Sequence, residues 1–469
     1  MAELREDATT VEWTQVCRRY LPFISDDGKW RFSREIQPDD PEQGWKLHLS
    51  ATLITASEVL RKIATLLHSH SALFKAPASL DELNRINSGL DYGYSQVGKV
   101  FTIYPRNSEE AVLLARRLHD LTAGMPGPAV PFDRQFQPGS CLYYRYGGFR
   151  SLEIRSPDGS KIPAVQTLEG RLAPDSRESW ASDLDWLLDP FQGQQLPPEP
   201  GPPASPLKTR FRVFRALTQR GRGGVYQAID LHAQPPSLCI LKEGRRNGET
   251  GLDGRDGFYR VQNEERVLSS LRIRGIEAPR LYSSFEVEGN YYLAMEFIAG
   301  ESLHSLLRKR QRRLRLTQAL LYGIQISEII AQLHAAGWAW RDCKPGNLMM
   351  TRKGIFRPID FESACPCDRL DPLPWRTPDF TPPESAYGAS GGPSDDLYAV
   401  GAILFLLLTG RTPAASGSIP ATKWRRDIPG EILSLISDTL SPEPQRRPAA
   451  AVIARRLKAF LSADRNLSR

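Results

Sequence analysis

The chain is 469 residues long, 41% hydrophobic and 25% charged, with a net charge of +7. That length holds two or three domains, and that composition excludes a disordered or fibrous chain. The longest apolar run, Leu397 to Leu408, is too short to cross a bilayer, and the polar, acid-bearing opening MAELREDATT excludes a secretory signal.

In chain order, residues 45–53 (WKLHLSATL) alternate like a strand. Residues 55–70 have helical periodicity, with Thr55 or Ser57 as cap. Residues 98–104 (GKVFTIY) predict a second strand. Residues 107–124 predict a second helix, capped by Asn107 or Ser108, favoured by Glu109 and Glu110 at its positive end and stopped by Gly124. The strand-like CLYYRYGGF follows, so residues 1–192 read as a mixed α/β (α+β) domain. Residues 193–207 (GQQLPPEPGPPASPL) are a Pro-rich, semi-stiff linker. Residues 208–469 form the second domain.

The second domain opens with strand, glycine turn and strand in FRVFRALTQRGRGGVYQAID. Gly221, Gly223 and Gly224 would let backbone N–H groups approach a nucleotide's phosphates. CILK (239–242) ends in Lys242, which can hold α/β-phosphates if a carboxylate orients it. The helical VQNEERVLSSL (261–271) offers Glu264, with Glu265 as neighbour; register against Val267 and Leu268 favours Glu264. LAMEFIAG (293–300), with Glu296, resembles an adenine-contacting hinge. In GWAWRDCKPGNLMM (337–350), Asp342 would accept a substrate hydroxyl proton, Lys344 would steady the phosphoryl group and Asn347 would hold Mg²⁺. Asp360, in IDFE, would chelate the same metal, and Arg447 would pair with Glu384.

Order and spacing of these motifs resemble the protein-kinase superfamily across roughly 250 residues, which implies a bilobal fold using ATP (or GTP) and Mg²⁺. Trp340 replaces the usual His of H-R-D, and Glu362 the Gly of D-F-G. Neither position carries the chemistry, so a scaffold without turnover is the lesser reading. Ser363, Thr377 and Thr381 are the hydroxyl residues of the activation segment, and none forms an obvious phospho-switch.

The first domain carries GWKLHLSA, LFKA, GKVFTIYPR, GMPGP, FDRQF and YYRYGGF in that order. Together they resemble the N-terminal domain of class III and class IV lanthionine-peptide synthetases, which is itself similar to effector-type phosphothreonine lyases. The resemblance implies elimination of phosphate from phospho-Ser or phospho-Thr, with Lys75 as general base and His48 as general acid. Lys99 and Arg145 would bind phosphate and lower the pKa of Lys75; Arg134 and Tyr144 are further phosphate-binding candidates. His48 and Lys75 have plain structural alternatives, as a satisfied His and a surface Lys.

The combined expectation is a peptide dehydratase acting on a ribosomal precursor peptide with a leader segment and giving dehydroalanine or dehydrobutyrine. The family's cyclase ligands are not found before Arg469, so ring formation would fall to a separate cyclase or another tailoring enzyme, or the sequence is a truncated form. The rival is a signalling Ser/Thr kinase with an N-terminal regulatory or peptide-binding module. No nucleic-acid or membrane partner is expected: the basic run Arg308, Lys309, Arg310, Arg312, Arg313, Arg315 has no interleaved aromatics, and reads as a solvated face or a dock for an acidic peptide. Six cysteines without regular spacing fit a reduced, cytoplasmic setting, and Cys365 and Cys367 read as loop thiols rather than a zinc pair.

Overall fold

The structure is a computed structural model. It describes residues 8–149, 152–156, 158–175, 186–193, 205–310, 313–369, 371, 377, 379–387, 391–413 and 426–467. Most of the linker expected at 193–207, and Arg312 of the basic run, lie outside the described residues. No described helix is long and apolar enough to cross a membrane.

The N-terminal half is built on seven strands: β1 (Phe23–Ile24), β2 (Trp30–Phe32), β3 (Gln43–Leu49), β4 (Leu73–Pro77), β5 (Phe101–Tyr104), β6 (Arg134–Gln135) and β7 (Leu142–Gly148). They pair in the order β1-β2-β4-β5-β3-β7-β6, all antiparallel. Alternate residues of a strand face opposite sides. Leu47, Leu49, Phe74, Phe101, Ile103 and Leu142 are fully buried on one side. The helices Ala8–Tyr20, Ala56–Ser69 and Ser108–Thr122 cover them with Trp13, Val59, Ile63, Leu114 and Leu118. Each such side chain contributes about 1.5–3 kcal/mol. The other side of the sheet carries Lys46, His48, Lys75, Thr102, Tyr143 and Arg145, and it is the polar face.

Local signals explain the boundaries. Asn107 caps its helix by accepting from the Glu110 N–H at 2.9 Å, worth about 1 kcal/mol. The strand expected from residue 98 begins at Phe101. Gly98 has φ +77, and the Val100 N–H donates back to its carbonyl, so Lys99 lies in a tight turn. A further helix, Leu80–Ser88, not among the expected elements, is capped by Ser79 and stopped by Gly89 in the left-handed conformation.

A small sheet of β8 (Glu153–Arg155), β9 (Lys161–Gln166) and β10 (Leu172–Pro174) follows. The C-terminal half then begins with β11 (Phe211–Arg220), β12 (Gly223–Asp230), β13 (Ser237–Gly244), β14 (Leu281–Val287) and β15 (Asn290–Glu296), ordered β11-β12-β13-β15-β14, against the helix Gly257–Ile273. A helical lobe follows, centred on the buried helix Pro393–Thr409 and on Leu316–Ala335, Gly430–Thr439 and Ala450–Leu467. The two halves touch at the β11–β12 turn, where the Gly221 N–H donates to the Ser88 carbonyl at 3.0 Å. Nearby, the Arg245 guanidinium lies 4.7 Å from the Tyr94 ring centroid.

Candidate active sites

Sheet register brings the first set of candidates together. Lys75 pairs with Thr102, Thr102 with His48, and His48 with Tyr143. Directly opposed residues share a face, and strands stand about 4.8 Å apart, so the backbones of Lys75 and His48 are roughly 10 Å apart with both side chains on the polar side. Lys46 and Arg145 form the adjacent row on that side.

Lys99 joins the group through Asp133, which is not among the residues expected from the sequence. The Asp133 carboxylate receives His48 Nδ1 at 2.6 Å and Lys99 Nζ at 2.7 Å. All three side chains are at most 5% exposed. Burial alone would raise the Asp133 carboxyl; His48 and Lys99 outweigh it and hold it near 2. Burial pushes the His48 imidazole down to about 3, more than Asp133 pulls it up. An ionised carboxylate accepts only, so the His48 proton sits on Nδ1 and Nε2 presents a lone pair. Asp133 lies in the FDRQF motif beside the candidate Arg134.

Lys75 Nζ lies 3.9 Å from the Trp30 ring centroid, an attractive cation–π geometry. Arg145 is ion-paired with Asp175.

Arg134 and Tyr144 are not brought to this face. Tyr144 pairs with the core residue Leu47, and Arg134 with Tyr144, so both project from the opposite side. There they share Asp189, Arg134 at 2.7 Å and the Tyr144 hydroxyl at 3.1 Å. The expectation that they bind phosphate beside His48 is corrected by strand alternation: neighbours in sequence point opposite ways, and Arg145 takes the polar side.

The second site lies between the lobes of the C-terminal half. Lys242 Nζ is 2.6 Å from Glu264, 2.7 Å from Asp360 and 2.7 Å from Glu362. Burial alone would lower the Lys242 ammonium; the three carboxylates hold it well above its ordinary range. The other oxygen of Glu264 accepts from the Phe361 N–H at 2.9 Å, whereas Glu265 is bonded to Ser284 and Tyr291. Asp342 receives Lys344 at 2.7 and 2.8 Å and the Asn347 amide at 2.8 Å. Burial raises its carboxyl, and Lys344 opposes that. The Trp340 indole donates to the Asp360 carbonyl at 2.9 Å and its ring lies 5.6 Å from that of Phe361, so it braces the loop from the position usually held by His. Arg447 clasps Glu384 at 2.6 and 2.9 Å.

A cavity of about 240 Å³ is lined by Gly223, Gly224, Lys242, Lys344, Asn347 and Asp360. Glycine is required at 223: φ is +151, and a Cβ would stand 1.8 Å from the Glu243 carbonyl oxygen. Oxygen donors Asn347 and Asp360 beside two lysines suit a magnesium nucleotide. Glu264, Asp360 and Glu362 also offer carboxylate oxygens within 4.8 Å of one another. Gly221 is spent elsewhere: its N–H goes to Ser88, not toward this cavity. Glu296 commits its side chain to Arg357 at 2.7 and 3.0 Å and its N–H to Arg280, which leaves only its carbonyl for a base.

Comparison with known proteins agrees with this geometry. A family model described as protein kinase domain matches residues 220–457. The chain belongs to the protein-kinase family. It carries that domain behind a second match, described as RamC, N-terminal domain, over residues 23–201. The probable SapB synthase of Streptomyces coelicolor is 29% identical over 401 residues, covering 82% of this chain and 42% of that protein. Serine/threonine-protein kinase PknA of Mycobacterium tuberculosis is 29% identical over 259 residues, 51% of this chain and 58% of the kinase. Serine/threonine-protein kinase pkn3 of Myxococcus xanthus is 29% identical over 269 residues, 52% of this chain and 48% of the kinase. The chain thus spans less than two thirds of each relative. The RamC-type match and the kinase match follow one another along the chain, and the similarity to the SapB synthase extends over both.

Proposed function

We propose that the chain is a two-site peptide dehydratase. The kinase half phosphorylates Ser or Thr of a ribosomal precursor peptide, and the RamC-type half eliminates the phosphate to leave dehydroalanine or dehydrobutyrine. The observation that carries this reading is the shared polar face of Lys75, His48 and Arg145, with Lys99 tied to His48 through Asp133.

In the kinase half, Asp342 takes the proton of the peptide hydroxyl. An alcohol fits there: the Thr377 hydroxyl donates to Asp342 at 3.1 Å. Lys344, bonded to both Asp342 oxygens, sits where the transferred group must pass. Asn347 and Asp360 would hold Mg²⁺, which supplies charge neutralisation for the phosphates of ATP or GTP.

In the RamC-type half, Lys75 removes the α-proton and His48 protonates the leaving oxygen. His48 is neutral until substrate arrives; a phosphomonoester, with a second pKa near 6, brings the negative charge that lets Nε2 take up a proton. Arg145 and Lys99 offset charge growing on the departing phosphate. A leader segment of the peptide keeps the phosphorylated intermediate nearby between the two steps.

The test is mass spectrometry of the precursor peptide encoded beside this gene, incubated with ATP, Mg²⁺ and the chain. Wild type should remove one water per site. Lys75→Ala or His48→Ala should accumulate phosphopeptide, and Asp342→Asn should leave peptide untouched. Normal dehydration by Lys75→Ala would sink the elimination assignment. A signalling kinase with a peptide-binding module would phosphorylate without ever losing phosphate.

A further inference from the structure

The kinase half holds a carboxylate where a helix, the activation segment and the catalytic loop meet. Arg255 stands just before Asp256, the N-cap of the helix Gly257–Ile273, which carries Glu264. Its guanidinium grips Asp371 of the activation segment at 2.7 and 2.8 Å, a two-pronged contact. Arg341, next to the base Asp342, donates to the Asp371 main-chain carbonyl and reaches its carboxylate at 3.4 Å. The Arg341 side chain is 1% exposed, with Nε fixed by the Ser363 carbonyl at 2.6 Å and the backbone N–H fixed by Asp396 at 2.6 Å. Arg260, Arg266 and Arg369 line the same small cavity, of about 60 Å³.

So many guanidinium groups around one point make an anion site. Where a kinase is switched by phosphorylation, new arginine–phosphate pairs order the activation segment. Here each of the segment's hydroxyls already donates to another acceptor. Ser363 donates to the Trp340 carbonyl, Thr377 to Asp342 and Thr381 to the Thr377 carbonyl. Asp253 pairs with Arg255 from its own loop, and Glu362, also in the cavity wall, is paired with Arg222 and Lys242. The carboxylate that reaches both Arg255 and Arg341 is Asp371.

We propose that Asp371 is a positioning residue that does permanently what a regulatory phosphate does reversibly. By bridging Arg255 and Arg341 it ties the Glu264 helix to the catalytic loop, so Lys242 and Asp342 stay aligned without any phosphorylation of the chain. This rests on the kinase reading above.

The test uses the full chain, Mg·ATP and the neighbouring precursor peptide, with phosphorylation and elimination followed separately. Wild type should be free of phosphate by intact mass, and phosphatase treatment should not change its phosphorylation rate. Asp371→Asn should lower phosphoryl transfer about tenfold or more, the scale of a lost charged hydrogen bond. Asp371→Glu should restore much of it. Elimination from pre-phosphorylated peptide should be unchanged in both, which separates misfolding from mispositioning. A wild type that needs phosphorylation to act, or Asp371→Asn at the wild-type rate, overturns the proposal while leaving the kinase intact. A wild type that transfers nothing sinks the kinase reading and this proposal with it.

Discussion

Gly221 and Ser88 belong to different halves of the chain, yet the N–H of one donates to the carbonyl of the other at 3.0 Å. A Cβ on Gly221 would sit 1.7 Å from the Asn87 carbonyl oxygen, so backbone must move to admit one. Asn87 in turn bonds Ala51 and the Gly98 N–H, next to Lys99. Gly221→Ala should therefore destabilise by about 1–3 kcal/mol, as overpacking does. It should also lower phosphoryl transfer, because the displaced turn is one wall of the nucleotide cavity. Thermal unfolding and nucleotide KM, measured on the same variant, check both.

Asp133 shares its carboxylate between His48 and Lys99 in a dry site. Asp133→Asn removes the charge that holds Lys99 and leaves one acceptor oxygen where His48 and Lys99 each have their own. Breaking such a buried pair costs about 3–5 kcal/mol. Elimination should fall by on the order of 10²–10⁴, the range for a misplaced general acid. Phosphopeptide should accumulate while phosphorylation continues, and time-resolved masses will read this directly.

The same residues set a pH dependence. His48 is held at about 3 in the fold against an ordinary 6.5, so the unfolded chain binds its proton first as pH falls. The stability this contributes is complete above about 6.5 and is lost as pH drops toward 3. Asp133, held near 2 against 3.8, adds a loss of the same sign at lower pH. Urea midpoints of wild type should decline from neutrality to pH 4 more steeply than those of His48→Gln. Parallel curves would remove His48 as the cause.

Trp340 is fully buried and supplies the indole N–H that satisfies the Asp360 carbonyl. Trp340→Ala leaves a large void and an orphaned acceptor, at about 3–5 kcal/mol. Phosphoryl transfer should drop with it. Trp340→His, which keeps a ring and an N–H, should recover part of the rate. Steady-state kinetics on both variants will show whether the bracing is steric, polar or both.

Much of the kinase site was legible because each chemical group sits in a linear motif whose order survives folding. Register even separated Glu264 from Glu265, since Val267 and Leu268 had to face the core. The RamC-type site was legible only in part. Lys75, His48 and Arg145 fall on one face because β4, β5, β3 and β7 are adjacent, and no local pattern reveals that strand order. Arg134 and Tyr144 enter through the motif resemblance, while strand alternation sends them to Asp189. Asp133 escapes a linear reading because its role is to accept from two donors distant from it in sequence. Gly221 was read as a phosphate cradle because a glycine's need for space does not say which neighbour comes close.

The Gly221–Ser88 seam bears on how such chains are recombined. A chimera made by cutting at the Pro-rich stretch would join one parent's Asn87–Ser88 edge to another's glycine turn. Any bulkier residue at that turn would wedge the graft open. Exchange of substrate preference between homologues is better attempted by moving both edges as a matched pair.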